Sequence, residues 1–398
     1  MIIFCKLLIT NLQTTTTNYK LKNMKIGFDI RTIAQGKHSG VEEYTLRILS
    51  ELLKSKGDEF LLFYNAFSKV SLPENILKNG NIALKDFNVP NKLLDPFLFF
   101  GQPKLDEILG GTDVFFSPHF LAAPVSGVCK KVTTFHDLSF LHYPEFFSQR
   151  KKYWHFSQRP KKQAQGSDRI IAISESTKED IVNFYNIPES RIDVVYSGVG
   201  EEMRLLENDD KELKLVKEKY SLPDEFLLYL GTIEPRKNIV GIIKAFEGVR
   251  EKRNIKLVLA GAFGWLYEDI LKEAKSSRFS DDIIFLGFAD DEDKAGLYNL
   301  ASVFVYPSFF EGFGFPPLEA MACGTPVVTS NCSSLPEVVG DAAIMIDPYK
   351  PAEIADALWM FLEDESLRSI YKERGILQAK KFSWKKTGEE SLRVLKNL

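Results

Sequence analysis

Short apolar runs alternate with helical patterns along almost the whole chain, and this alternation constrains the fold more than any other feature. Residues 25–30 read as a buried strand. Residues 41–54 read as a helix, with Val41, Tyr44, Ile48, Leu49 and Leu52 at helical spacing. Further strands are expected at 60–64, 114–116, 132–135, 169–173 and 193–195. A second series follows the charged stretch 201–219, with strands at 226–230, 256–260, 283–286, 303–306 and 326–329. Such alternation implies parallel sheets covered by helices. Two series joined near 197–205 predict an α/β chain of two doubly wound, Rossmann-like domains facing a central cleft. The expected division is an extension over 1–23, domains over 24–203 and 204–380, and a closing helix over 381–398. Ligands of open parallel sheets bind outside the carboxyl ends of the strands, so chemistry is expected in the loops that face the cleft.

Composition narrows the class. With 44 % hydrophobic and 26 % charged residues, the 398-residue chain is neither disordered nor collagen-like. No apolar run approaches the roughly 20 residues that cross a bilayer. A net charge of −3 argues against a nucleic-acid binder dominated by phosphate contacts. The charge is uneven: residues 1–200 carry +5 and the remainder −8. Arg150, Lys151, Lys152, Arg159, Lys161 and Lys162 gather in one stretch, interleaved with Tyr153, Trp154 and Phe156. A solvated helix face is the bland reading of that stretch, and a membrane-surface or acceptor patch is the other. Cys5, Cys129, Cys323 and Cys332 lie far apart without a CxxC pair, which suits a reducing, cytoplasmic setting and argues against structural zinc. Residues 1–23 lack a basic start and a small-residue cleavage site, so they read as a disordered extension or a misplaced start rather than a secretory signal.

Two blocks carry most of the chemistry. In Tyr306-Pro-Ser-Phe-Phe-Glu311-Gly-Phe-Gly-Phe-Pro-Pro-Leu-Glu319, a strand ends, a glycine-containing loop follows, and Pro316 and Pro317 pre-set a helix start. Glu319 is expected in the first helical turn, ionised, where it accepts both hydroxyls of a ribose while neighbouring N–H groups meet a phosphate. Glu311 would face a sugar ring. A solvated loop with a dipole-matched carboxylate is the plain alternative, but so apolar a loop has little reason to face water. In Gly231-Thr-Ile-Glu-Pro-Arg236-Lys237-Asn238, a strand runs into a tight turn and Asn238 caps a helix through Phe246. Two cations at a helix start are locally unfavourable by roughly 0.3–1 kcal/mol each. A bound diphosphate would remove that conflict. On this reading, alanine at either position should leave folding unharmed.

The N-terminal half supplies matching parts. Gly40 ends the loop Gln35-Gly36-Lys37-His38-Ser39-Gly40 and opens a helix whose amides face the cleft. Neither GxGxxG nor Walker A is present, which weakens a nicotinamide site. His136, in Thr134-Phe135-His136-Asp137, ends a buried strand and is either a cleft residue or a structural histidine. His119 follows another strand end and is the weaker candidate; His38, His142 and His155 carry no partner pattern. The apolar run 93–100 reads as loop-like, either core or acceptor contact. No acidic cluster at a strand end marks a metal site.

These blocks, with Ser39-Gly40-Val41 and Ala172-Ile173-Ser174-Glu175-Ser176, resemble family-4 retaining glycosyltransferases of the GT-B fold, in the family's order over residues 24–390. The resemblance implies a hexose moved from a nucleotide sugar to a glycan or lipid-linked hydroxyl, without metal or other cofactor. His136, Glu311, Arg236 and Lys237 would form the catalytic set. Gly40, Gly231, Phe288, Phe313, Gly314, Leu318 and Glu319 would hold the donor, Phe313 and Gly314 through backbone N–H groups. The first domain would take the acceptor and the second the donor, and the segment at Phe382-Ser383-Trp384 would cross back to the first domain. The wording around Arg236 looks most like mannosyltransferases of surface-polysaccharide assembly using GDP-mannose, with UDP-hexose the other donor, in a cytoplasmic protein touching the inner membrane face. A nucleotide-sugar epimerase of the same fold and a non-catalytic GT-B partner subunit are the competing readings.

Overall fold

A computed structural model describes residues 23–33, 40–65, 72–73, 76, 80–87, 89, 91–207 and 210–398. The segments 1–22 and 34–39, with His38, lie outside them. Two all-parallel sheets carry the fold. The first comprises β1 (Lys25–Asp29), β2 (Glu59–Tyr64), β3 (Ile82–Asp86), β4 (Val114–Ser117), β5 (Lys130–Phe135), β6 (Arg169–Ala172) and β7 (Ile192–Val194), in the order β3-β2-β1-β4-β5-β6-β7. The second comprises β8 (Phe226–Leu230), β9 (Lys256–Ala260), β10 (Ile283–Gly287), β11 (Val303–Tyr306), β12 (Val327–Ser330) and β13 (Ile344–Ile346), in the order β10-β9-β8-β11-β12-β13. Each order reverses beside its first strand, which opens a crevice at the carboxyl ends.

The central strands β4, β8, β11 and β12 are buried along their whole length. Helices on both faces leave them no solvent side, so β8 and β11 read as unbroken apolar runs, while β4 and β12 end in buried hydroxyl residues. The two strands that the pattern misses, β3 and β13, are edges. Leu84 is 44 % exposed and Met345 39 %; Lys85 and Asp86 interrupt the apolar run of β3, and β13 is only three residues long. The run 93–100 is a further correction: it lies in the helix Asn91–Phe99. Pro96 removes one ladder bond. Leu94 and Leu98, four apart, are nevertheless buried against Leu61, Phe63 and Leu105, and their burial outweighs it.

The closing helix Trp384–Lys396 packs on the helix Gly40–Leu52 of the first sheet. Leu395 is fully buried, worth roughly 2 kcal/mol. The Lys396 ammonium meets the buried Asp58 carboxylate at 2.8 Å. The two crossings between the halves run side by side: Val199 pairs with Ser383, and a Cβ on Gly198 would lie 2.1 Å from the Trp384 nitrogen. Away from this hinge, Glu337 of the second half accepts the Glu175 and Ser176 N–H groups at 2.8 and 3.1 Å, capping the helix Glu175–Tyr185 of the first.

Candidate active site

Three neighbouring strands of the second sheet stop on glycine. Gly231, Gly261 and Gly287 follow or end β8, β9 and β10 with φ of 154°, 143° and 79°. Gly231 donates to Ala260 O at 2.9 Å, and Gly261 donates to Gly287 O at 2.7 Å. A Cβ on Gly261 would sit 1.9 Å from Gly231 O, so these strand ends form a floor without side chains. Phe288, next in the chain, is half exposed beside it.

After Gly231, Pro235–Lys237 form a single 3₁₀ turn. Asn238 then takes a left-handed conformation (φ 56°), and its side chain caps the helix Ile239–Arg250 through Gly241 N–H. Arg236 and Lys237 thus precede the helix rather than open it, and neither is left uncompensated. Lys237 Nζ lies 2.6 Å from Glu311 Oε1 and 2.5 Å from the Tyr306 hydroxyl. Arg236 lies 3.1 Å from Glu311 Oε2 and donates to Glu234 at 2.8 Å and to Phe310 O at 2.5 Å. Ser308 adds a hydrogen bond to Glu311 at 2.6 Å. Burial alone would raise the Glu311 pKa; the Arg236 and Lys237 charges prevail and hold it at about 2. For Lys237, burial and the Arg236 charge lower the pKa against the pull of Glu311. Two cations and two carboxylates, Glu234 and Glu311, therefore form one buried, balanced cluster. That overturns the expectation that alanine here leaves folding unharmed.

The helix Phe315–Ala322 begins after Gly314, whose φ of 118° suits glycine. Among the described residues, nothing accepts the Phe313 and Gly314 N–H groups. They remain available to an anion. Leu318 is fully buried and its N–H donates to Gly314 O at 3.3 Å. Glu319 is the fifth helical residue, one turn deeper than expected. Its neighbourhood, not the helix end, sets its charge. Burial raises its pKa to about 7; Lys294 and a 2.7 Å hydrogen bond from Tyr298 act against that, while Glu43 and Glu202 add to it. The carboxyl is therefore near half-ionised at neutral pH, not fully ionised.

The first half meets this surface closely. A Cβ on Gly40 would lie 3.9 Å from the Phe315 ring. A Cβ on Gly312 would lie 1.8 Å from His136 O, and the Thr177 hydroxyl reaches both His136 O and Gly312 O, at 3.3 and 3.5 Å. His136 is buried, shares a 2.7 Å hydrogen bond with Pro118 O and lies edge-on to Tyr44 at 4.7 Å. Burial lowers its pKa, keeping the imidazole neutral. His119 stacks on His136 at 5.6 Å. His142, given no partner by pattern, pairs with Asp180 at 2.7 Å.

The fold thus joins Arg236, Lys237 and Glu311 in one cluster, sets His136 O against Gly312 and Gly40 against Phe315, and places Gly231 at a strand end, Phe313 and Gly314 just before the helix Phe315–Ala322 and Glu319 and Leu318 within it, with Phe288 half exposed. Sequence reasoning missed Tyr298, Lys294, Glu43 and the pairing role of Glu234. The first three sit on other elements and carry no motif; Glu234 lay inside the quoted block beside Arg236. Among the described residues, no three His, Cys, Asp or Glu side chains gather as a metal site. None of their helices is long and apolar enough to cross a membrane.

Comparison with known proteins fits this geometry. Residues 38–202 match the model described as Glycosyltransferase Family 4, and residues 210–378 that of Glycosyl transferases group 1. The chain is 36 % identical over 288 residues to O-antigen chain mannosyltransferase B of Escherichia coli, covering 71 % of this chain and 73 % of that one. It is also 36 % identical over 262 residues to the serotype-specific mannosyltransferase WbdA of Escherichia coli, covering 65 % of this chain but only 32 % of that longer relative. Anabaena Alr3699/HepE, solved with UDP and glucose, shares the fold with a TM-score of 0.73 at 18 % identity, over 94 % of this chain and all of that one. The chain belongs to the family-4 glycosyltransferases of the GT-B fold.

Proposed function

We propose that the protein is a retaining mannosyltransferase that moves mannose from GDP-mannose to a hydroxyl of a glycan or lipid-linked acceptor. The observation that carries this reading is the buried Arg236–Lys237–Glu311 cluster beside the unpaired Phe313 and Gly314 N–H groups. As the glycosidic bond breaks, charge develops on the diphosphate. Fixed cations and N–H groups in a water-poor cleft stabilise that charge without reorganising. The positive charge comes from the chain itself, so no metal-bound step is invoked. Glu311, kept ionised, takes hydroxyls of the transferred ring, and Glu319 takes the ribose. His136, neutral and on the opposite wall, faces the sugar from the acceptor side. The choice of mannose rests on the likeness to the mannosyltransferase of O-antigen chains.

Screening nucleotide sugars for protection against thermal unfolding tests the donor, and proton NMR of the glycoside tests its anomeric configuration. GDP-mannose should protect best, and the product should keep the donor's α configuration. Stronger protection by a UDP-hexose would overturn the donor assignment. Conversion of donor without acceptor would favour an epimerase, and binding without turnover a non-catalytic subunit.

A further inference from the structure

The first sheet has a crevice of its own. Its strand order reverses between β1 and β4, and ligands of parallel sheets bind outside the carboxyl ends at such a reversal. His119 stands there, two residues beyond Ser117, the last residue of β4. It is nine-tenths buried, beside the rings of Phe120, His136 and Trp154 at 4.1, 5.6 and 5.8 Å. Among the described residues, neither of its ring nitrogens has a partner. Nδ1 is closed to water as well, whereas Nε2 is not. A phenyl ring would fill the same aromatic surroundings without orphaning a nitrogen. An unpaired buried polar group lowers stability, so its presence calls for a reason outside packing.

The segment that carries His119 is held in place. Pro118 O shares a 2.7 Å hydrogen bond with His136. Gln158 accepts the Ala122 N–H at 3.1 Å, Gln163 accepts the Ala123 N–H at 3.4 Å, and Arg31 donates to Ala122 O at 3.0 Å. A group fixed in this way loses little freedom when a ligand arrives. The buried cations around the segment are spent inside the protein. Arg31 forks onto Asp29 at 2.6 and 2.9 Å, and Lys131 donates to Gln163 at 2.7 Å. Neither is left over for an anion. Burial above all holds the His119 pKa well below the ordinary 6.5, so the imidazole is neutral and offers one N–H and one lone pair. An ionic ligand would find no free counter-charge here; a hydroxyl, which both donates and accepts, suits such a ring edge.

We propose that the crevice between β1 and β4 takes an uncharged saccharide, one hydroxyl of which hydrogen-bonds to His119 Nε2. That this saccharide is the acceptor rests on the transferase reading; the saccharide site does not. The two stacked histidines then divide the sugars between them, His136 facing the one transferred and His119 the one that receives it.

Saturation-transfer NMR titrations of the full chain with methyl α-D-mannoside, methyl α-D-glucoside and mannose 6-phosphate test the site. They are run with and without GDP-2-deoxy-2-fluoromannose, which fills the donor side without transfer. At least one neutral glycoside should bind, and should stay bound beside the donor analogue. His119→Phe keeps a ring in the aromatic packing and removes both nitrogens, so its unfolding midpoint should equal or exceed that of the parent. It should bind the glycoside about tenfold more weakly, as the loss of one hydrogen bond requires. His119→Gln, whose amide reaches the place of Nε2, should recover part of that binding. The inference fails if the parent binds neither glycoside, if the donor analogue displaces the one that binds, or if His119→Phe binds it like the parent. Tighter binding of the phosphate ester than of the neutral sugars would overturn the uncharged ligand. A lowered unfolding midpoint in His119→Phe would reduce His119 to a packing role. Thermal protection of the parent by GDP-mannose reports the transferase reading separately, since its absence would sink that reading while the glycoside titrations still decide the site.

Discussion

Lys237 Nζ and Glu311 Oε1 are 2.6 Å apart in a place closed to water, each nine-tenths buried and each also engaged by Arg236 through charge. Breaking such a pair from one side leaves a buried charge short of compensation, which costs about 3–5 kcal/mol when no other partner remains. With Arg236 still in place, Lys237→Ala should cost on the order of 2–3 kcal/mol of stability. It should also lose about 2–4 kcal/mol of transition-state stabilisation. Adding Glu311→Gln should restore part of the stability but none of the turnover. Denaturant unfolding of the two single variants and the double variant measures the coupling, expected at about 0.5–3 kcal/mol. Strict additivity would mean that the pair does not act as one unit.

The depressed Glu311 pKa has a definite sign. The folded value of about 2 lies below the ordinary 4.5, so the carboxylate stabilises the fold fully above pH 4.5 and loses that contribution as pH falls toward 2. The difference corresponds to about 3 kcal/mol. Glu311→Gln should therefore be less stable than the parent at pH 7, and the gap should close on acidification. Unfolding midpoints measured from pH 7 down to pH 3 should converge; parallel curves would refute the assignment. In turnover at neutral pH the same variant should lose kcat while keeping its affinity for free nucleoside diphosphate.

Glu319 runs the other way. Its folded pKa of about 7 lies above the ordinary 4.5, so its protonated form favours the fold below pH 4.5 and that benefit is lost as pH rises through 7. Glu319→Gln, neutral at every pH, should match the parent near pH 4.5. At pH 8 it should be more stable, by roughly 2–3 kcal/mol. Nucleotide affinity should move against stability. The parent should bind GDP more tightly at pH 8 than at pH 6, because an ionised carboxylate accepts both ribose hydroxyls. The glutamine variant should bind weakly at both. Calorimetric titration at the two pH values decides, and equal affinity of parent and variant at pH 8 would remove Glu319 from the ribose.

Much of this was legible because the decisive residues are neighbours in sequence. Gly231, Arg236 and Lys237 lie in one strand-end segment, and Glu311 and Gly314 in another that leads into the helix carrying Glu319. The buried central strands β8 and β11 announce themselves as unbroken apolar runs for the same reason that they have no solvent face. What stayed hidden depends on elements meeting in space. Tyr298 and Lys294 reach Glu319 from a separate helix, and Glu43 reaches it from the other domain. Their effect, a carboxyl titrating near neutrality, follows from burial that no spacing rule records. The run 93–100 carries no helical signal strong enough to read: Pro96 sits inside the helix Asn91–Phe99, and it is the burial of Leu94 and Leu98 against the first sheet that keeps the turn containing it.

Gly312 gives the sharpest test of how the two halves must meet. Its Cα faces His136 O so closely that a Cβ would stand 1.8 Å from that oxygen and 2.9 Å from the Asp137 Cβ. Both neighbours are held, since the Thr177 hydroxyl bridges His136 O and Gly312 O and the His136 ring is pinned to Pro118 O. A methyl group therefore cannot be absorbed by a side-chain turn, and Gly312→Ala must part the two walls of the cleft. The core of each half is untouched, so the unfolding midpoint should stay near that of the parent. Nucleotide binding should also persist, because Arg236, Lys237 and Glu319 all belong to the second half. What should fail is chemistry: a shift of about 1 Å between reacting groups costs on the order of a hundredfold in rate. The expected signature is a kcat lowered by that factor with GDP affinity nearly unchanged. Full activity in the alanine variant would show that the contact between Gly312 and His136 is not needed for transfer.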